Sequence, residues 1–257
     1  LFYASLAVLA VLFLMACFPQ LFTSLSPEDT HLEIALSSSH GKYILGCDWL
    51  GRDLYTRLVY GARYSLLIGV VVSFITVIVP LLFSSFLFFA PQLWDHFYLM
   101  VLDVFQAFPP LLLAILVAAS LDLGVFNVIL ALVLSGWAGN ARIIRFCIRK
   151  IRSEDYVLSA QAVGAGNFRI FFRHVLPNLY STLIVLLTIR VGGMILAEST
   201  LAFLGLGAVD AVSWGNMVNG GKDYLTSAWQ VAVYPASMIA ISVFSFQMIG
   251  ECLEKRY

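Results

Sequence analysis

Three ionisable residues stand inside long apolar runs of this chain: Asp103, Arg190 and Glu198. A charge at that depth in a bilayer is costly enough to need a partner or a watery cavity, so each is a candidate for lining a transport path. Arg190 and Glu198 are eight residues apart, which on one helix separates them by about 80° in azimuth and about 12 Å along the axis. They do not pair directly. Two readings stay open: Asp103 meets Arg190 and fixes the register of two spans, or each group snorkels or bonds locally.

Catalytic patterns are not found. The nearest approach to a P-loop, Gly215 to Asp223, has the wrong glycine spacing and an Asp where a hydroxyl residue completes the phosphate site, so any ATP is hydrolysed elsewhere. The chain contains no H-E-x-x-H and no G-x-S-x-G, and His174 has no neighbouring ligand at helical spacing. His31, Glu33, His40 and Cys47 fit no compact ligand set for nickel or another metal and read as a solvated loop. Cys17, Cys47, Cys147 and Cys252 are widely spaced with no C-x-x-C pair, which points to neither a disulfide framework nor a zinc site. The expectation is a non-enzymatic chain without cofactor or metal.

The elements that position the three charges follow from composition. With 61% hydrophobic and 12% charged residues, the chain reads as all-α and polytopic, with about six transmembrane helices in a lipid bilayer. Residues 1–18 are uncharged and read as an uncleaved span, because no basic n-region or small-residue cleavage site accompanies them. A polar interlude covers 23–63. Within it, Leu50, Leu54, Leu58 and Ala62 recur at i, i+4 spacing, a pattern that predicts an amphipathic helix over 50–64 on the bilayer surface. Further spans are expected over 64–94, with a kink at Pro80, and over 96–121, interrupted by Asp103 and by Pro109-Pro110. The rest are expected over 123–141, 178–209 and 224–250. Phe105, Phe108, Pro109 and Pro110 join the three charges as candidates for lining a path, since a double proline frees carbonyls that a cavity or a neighbouring helix must satisfy.

Between the fourth and fifth spans lies the longest basic segment, 142–178, holding seven of the fifteen Lys and Arg residues. Ser153 is expected to cap a helix whose first turn carries Glu154 and Asp155, which complement the positive end of the helix dipole. That helix runs from Tyr156 through Ala160 to Val163. Gly164, Ala165, Gly166 and Asn167 then form a corner. A second helix over 168–176, bearing Arg169 and Arg173 and ending at Leu176, is expected to stop at Pro177. The shape suits docking into a groove on another protein. With the termini inside, nine basic residues fall on the cytoplasmic side against five outside, which favours N-in and C-in with Lys255 and Arg256 in an inner tail. This charge segregation and zero net charge argue against a nucleic-acid partner.

The stretch YVLSAQAVGAGNFRIFFRHVLPN resembles the cytoplasmic loop of the permease subunits of binding-protein-dependent ABC importers, with Gly164, Leu176 and Pro177 at the family's spacing. Leu158, Ser159 and Ala160 stand where that family usually has Glu, Ala and Ala. GCDWLGRDLYTRLVYGARYSLLIG, LDVFQAFPPLLLAIL, AESTLAFLGLG and SWGNMVNGGKDYL are similar, in this order, to permeases that import dipeptides, oligopeptides or nickel. The resemblance implies a type I, MetI-like permease fold in the bacterial inner membrane. It also implies a second homologous permease, two cytoplasmic ATP-binding subunits and an extracytoplasmic substrate-binding protein as partners. It places Glu154, Asp155, Tyr156, Ala160, Gly164, Ala165, Arg169, Arg173, Leu176 and Pro177 in ATPase coupling. Ser213, Trp214, Gly215 and Asn216 fall in the loop that meets the binding protein; Trp at a membrane interface is the other account of that loop. On this reading 1–63 is an N-terminal helix with an extracytoplasmic loop, and 64–257 is the permease domain. Two rivals make different use of the same residues: an ion-coupled secondary transporter, with Asp103 and Glu198 as coupling groups, and a membrane scaffold without transport.

Overall fold

The computed structural model describes residues 2–209 and 211–255; Leu1 and Arg256, expected in the first span and the inner tail, lie outside them. Helix α1 is Phe2–Cys17, α2 Leu54–Phe89, α3 Gln92–Gln106, α4 Pro110–Ala119 and α5 Val125–Arg152. They are followed by α6 Asp155–Ala162, α7 Asn167–Ile170, α8 Leu176–Phe203, α9 Trp214–Gly221 and α10 Gln230–Glu254. No strand occurs among the described residues. Helices α2, α5, α7–α8 and α10 are each long and apolar enough to cross a membrane, and α3 with α4 passes the same test as one span bent by 78°. With the 16-residue apolar α1, this agrees with the expected count of about six.

Helix α2 organises the bundle. At 36 residues it is about 54 Å long, well beyond the roughly 30 Å hydrocarbon layer. Its first three turns were expected as a separate surface helix over 50–64, but they continue straight into the span, so residue 63 lies mid-helix. The reason is that the preceding loop engages Arg57 of these turns, while Asp53 serves the helix start itself. Asp53 caps the helix, accepting from the Thr56 N–H at 2.9 Å and the Thr56 hydroxyl at 2.6 Å. Arg57 donates to the Pro27 carbonyl at 2.9 Å. Buried Asp48 accepts from the Leu50 and Arg52 amides and from the Arg52 guanidinium. With Arg52 and Arg57 held by Asp48, Leu54, Leu58 and Ala62 pack inward. The helix also passes Pro80 without interruption.

The partner of those turns is Trp214. It is fully buried, and its indole N–H donates to the Leu58 carbonyl at 2.9 Å. Gly61 leaves room for the ring, since a Cβ there would sit 2.9 Å from Trp214 Cδ1. On the other side of α9, Gly220 lies so close to the Trp49 ring that a Cβ would approach it to 1.9 Å. The loop before α2 is thereby clasped onto α9. Further along the bundle, Asn140 of α5 donates to the Thr76 carbonyl of α2 at 3.1 Å. Helix α1 lays Leu9, Leu12 and Ala16 on the same core as Phe246 and Ile249 of α10.

At the basic end, α5 runs eleven residues past the expected end of its span, from 142 to Arg152. Arg145 is turned inward there and meets Asp95 of α3, with Nε to Oδ1 at 2.6 Å and both side chains buried. Arg149 pairs with the second Asp95 oxygen. One carboxylate therefore ties the start of α3 to the end of α5.

Two outcomes test this packing. Trp214→Ala is expected to cost about 3–5 kcal/mol, read as a lower melting midpoint of the detergent-purified protein; an unchanged midpoint contradicts the clasp. Asp95→Asn leaves Arg145 buried without its counter-charge and is expected to cost about 3–5 kcal/mol. The double variant with Arg145→Gln should recover part of that loss in the same assay.

Candidate functional site

Between α5 and α8 the chain makes an elbow at the basic end. Ser153, expected to cap α6, instead ends α5 and donates its hydroxyl to the Lys150 carbonyl at 2.8 Å. Glu154 is the residue that enters α6 in extended conformation, and Asp155 occupies the first turn. The helix ends in a Schellman arrangement. The Ala165 N–H reaches the Ala160 carbonyl at 3.0 Å and the Gly164 N–H reaches Gln161 at 2.9 Å, with Gly164 at φ +89°. A side chain at Gly164 meets no steric obstacle, so glycine is required there by backbone conformation alone.

The second arm of the elbow differs from the expectation of a helix stopped by Pro177. Helix α7 passes through a wide π-helical turn over Phe171–Val175 directly into α8, where Pro177 sits in the first turn. In that turn the Leu176 N–H reaches back to Phe171 rather than to residue 172. Widening the turn relieves the clash a proline ring makes with the preceding turn, and the position lacks a need for its missing N–H. The elbow and the span are one continuous rod, which is a stiffer connection than two helices with a break.

Sequence reasoning missed what fastens this elbow. Val157, Ile170, Phe171 and Val175 are buried together with Phe88 of α2 and Ile144 and Ile148 of α5. Phe171 lies 5.2 Å from Phe88 and 5.4 Å from Phe89, centroid to centroid. Arg152 is stacked 4.8 Å over the Phe88 ring. The available signal was an apolar residue at each of these positions in a segment otherwise rich in Arg. The opposite face of the elbow is exposed and mixed: Glu154, Asp155, Tyr156, Arg169 and Arg173 accompany Leu158, Phe168, Phe172 and Val163, the last 89% exposed. Ala160, Ala165 and Leu176 are half-buried at the seam, and Gly164 and Pro177 are exposed.

Within the bundle, the break between α3 and α4 opens a cavity of about 470 Å³, walled by α3, α4, α5 and α8. Of the residues proposed for a path, Phe105, Phe108, Pro110 and Arg190 line this cavity. Asp103, Pro109 and Glu198 do not. Asp103 pairs with Arg142 of α5, so of the two readings left open the Asp103–Arg190 contact is not the one formed; Arg142 was placed in the basic arm, and the extension of α5 brings it level with Asp103 instead. Both members of this pair are well exposed on the chain's own surface. Glu198 is fully buried, with the Ser199 hydroxyl 3.4 Å from Oε2 and the Ser213 hydroxyl beside it. It belongs to the α8–α9 contact.

In the loop Ser213–Asn216, three of the four positions are buried within this chain. Ser213 and Trp214 are fully buried and Gly215 is buried, its Cα so close to α8 that a Cβ would lie 2.7 Å from Ser199 Cα. Ser213 caps α9 by accepting from the Asn216 N–H at 3.1 Å, and Asn216, half-buried, donates to the carbonyls of Ala208 and Ala211. The indole that the sequence placed at a membrane interface is taken up by the core because α2 extends far enough to receive it. At the same end, burial pushes the Cys47 thiol up, which disfavours the thiolate a soft metal requires. Among the described residues, no group of three or more His, Cys, Asp or Glu converges as a metal site.

Residues 77–257 match the family described as binding-protein-dependent transport system inner membrane component. The oligopeptide transport system permease protein OppC of Bacillus subtilis (strain 168) is 32% identical over 250 residues, covering 96% of this chain and 82% of that protein. The dipeptide transport system permease protein DppC of the same organism is 34% identical, covering 98% and 79%. The glutathione transport system permease protein GsiD of Escherichia coli O6:K15:H31 (strain 536 / UPEC) is 36% identical over 209 residues, covering 81% and 69%. Among solved structures, the MetNI methionine ABC transporter in an inward-facing conformation superposes with a TM-score of 0.61 at 17% identity, covering 77% of this chain and 95% of that one. That likeness bears on the fold, and it is the MetI-like permease fold expected from the motifs. This multi-pass membrane protein belongs to the family of inner membrane components of binding-protein-dependent transport systems.

Proposed function

We propose that this chain is one of two similar permease subunits of a peptide importer, driven by ATP that two separate cytoplasmic subunits hydrolyse, with cargo delivered by an extracytoplasmic binding protein. The observation that carries the reading is the elbow, apolar beneath and exposed above, made continuous with a membrane span. The named relatives are permeases for oligopeptides, dipeptides and glutathione, which favours peptides over nickel as cargo. Both termini are cytoplasmic on this reading, because the basic end of the bundle then faces inward. Residues 64–257 act as the permease domain, with 142–178 as its coupling segment, and 1–63 add a helix and an outer loop.

The geometry supports a defined path for work. Closure of the ATP-binding subunits presses on Tyr156, Leu158, Val163, Phe168, Arg169 and Arg173. The core under the elbow passes that displacement to the ends of α2 and α5. Asp95 then carries it to α3, and through α3 to the broken segment that walls the cavity. The two arms of the path change together, which is what alternation between outward-open and inward-open states requires. A second permease would cover the Asp103–Arg142 pair, which a lipid-facing surface would disfavour. At the outer end, Leu32, Ile44, Leu225 and Trp229 are exposed and offer a surface for the binding protein, while Ser213–Asn216 hold that surface from below.

Gly164→Arg is expected to lower uptake by about tenfold or more while the protein still inserts in the membrane, with the ATP-binding subunits lost on co-purification; full uptake contradicts the docking role. Phe168→Asp should weaken co-purification and leave the melting midpoint unchanged. Phe171→Asp should lower the midpoint itself, and an equal effect of both on stability contradicts the two-faced elbow.

A further inference from the structure

We infer that Arg190 holds the carboxylate of the passing cargo, so that the cavity beside it is a subsite for the C-terminal end of a short peptide; this rests on the peptide-importer reading above. Arg190 lies midway along α8, fourteen residues from its start, where a cation is most expensive in a bilayer. It forms no salt bridge among the described residues, and Asp103, the intramembrane acid considered as a partner for it, is engaged by Arg142. What faces it is space. The cavity of about 470 Å³ falls in the size range of small-molecule sites. Gly139 and Gly193 both line it. A Cβ at Gly139 would lie 3.7 Å from Arg190 Nη2, and one at Gly193 would meet nothing within 4 Å. The absence of side chains at both positions leaves the guanidinium accessible.

The rest of the wall fits the same ligand. Phe105, Phe108, Leu111 and Met194 are apolar and place no demand on side-chain identity. Gln106 and Ser135 donate to the carbonyls of Ala138 and Leu132, at 3.2 and 3.0 Å. Their side-chain oxygens stay available to accept from a peptide N–H. One fixed cation, two acceptors and adaptable apolar walls recognise what all short peptides share and ignore what distinguishes them. A guanidinium is suited to this because it holds a carboxylate by two parallel hydrogen bonds.

The test uses the whole transporter, with its second permease, ATP-binding subunits and binding protein, in proteoliposomes supplied with ATP. Trialanine and trialanine amide are compared as cargo, each at a concentration that saturates the binding protein as measured separately by calorimetry. Arg190→Gln is expected to lower the maximal uptake of trialanine by about tenfold or more, while uptake of the amide changes by less than about twofold and ATP hydrolysis stimulated by the loaded binding protein persists. Arg190→Lys should restore trialanine uptake in part. Gly193→Glu keeps the arginine and gives it an internal carboxylate one turn away; it should likewise lower trialanine uptake more than amide uptake, and it decides the matter if Arg190→Gln does not assemble. Equal losses for the two cargoes in these variants, or no loss in either, overturn the subsite while leaving the importer standing. A wild-type transporter that moves neither cargo overturns the peptide reading itself, and the subsite with it.

Discussion

The elbow depends on one apolar contact, the packing of Val157, Ile170, Phe171 and Val175 against the ends of α2 and α5. An eight-residue helix such as α6 is too short to persist in water by itself. It exists because its buried face is held, and each side chain so buried contributes about 1.5–3 kcal/mol. The exposed face is thereby free to carry residues chosen for a partner. A loop without this anchor would absorb an applied displacement; a loop with it moves the membrane helices.

Charge is handled in the same spirit, with three carboxylates each held by arginines at places where the chain has to be fixed. Asp48 ties the loop before α2 to Arg52 and Arg57, Asp95 ties α3 to α5 through Arg145 and Arg149, and Asp103 ties the same two helices nearer the break through Arg142. Glu198 sits among hydroxyl groups instead. Arg190 differs from these pairs in forming no salt bridge among the described residues while lining the cavity at the α3–α4 break.

Much of this could be read from residue order. The number of spans follows from uncharged runs, the break in the third span from Pro109-Pro110, and the corner of the elbow from Gly164. Other features could not, for physical reasons. Leu54, Leu58 and Ala62 alternate with charges as they would on a surface helix, and the loop that engages Arg57 through Pro27 and Asp48 lets them turn inward. The choice of Arg142 over Arg190 as the partner of Asp103 depends on how far α5 runs past the apolar segment. Trp214 carries the usual mark of an interfacial residue, and its burial needs Gly61 on another helix. Pro177 ordinarily stops a helix, and a preceding π turn removes the conflict. In each case the missing information is a contact distant in sequence.

The central claim is that the elbow and the membrane helices form one rigid body. It is tested most directly by spin labels at Leu158 on the elbow and Leu123 beyond the far end of α5, both exposed, after replacement of Cys17, Cys47, Cys147 and Cys252. The interlabel distance is measured in the assembled transporter without nucleotide and with ATP bound. The account predicts one narrow distance that is the same in both states. A distance that shifts by several ångströms, or broadens when ATP binds, contradicts it.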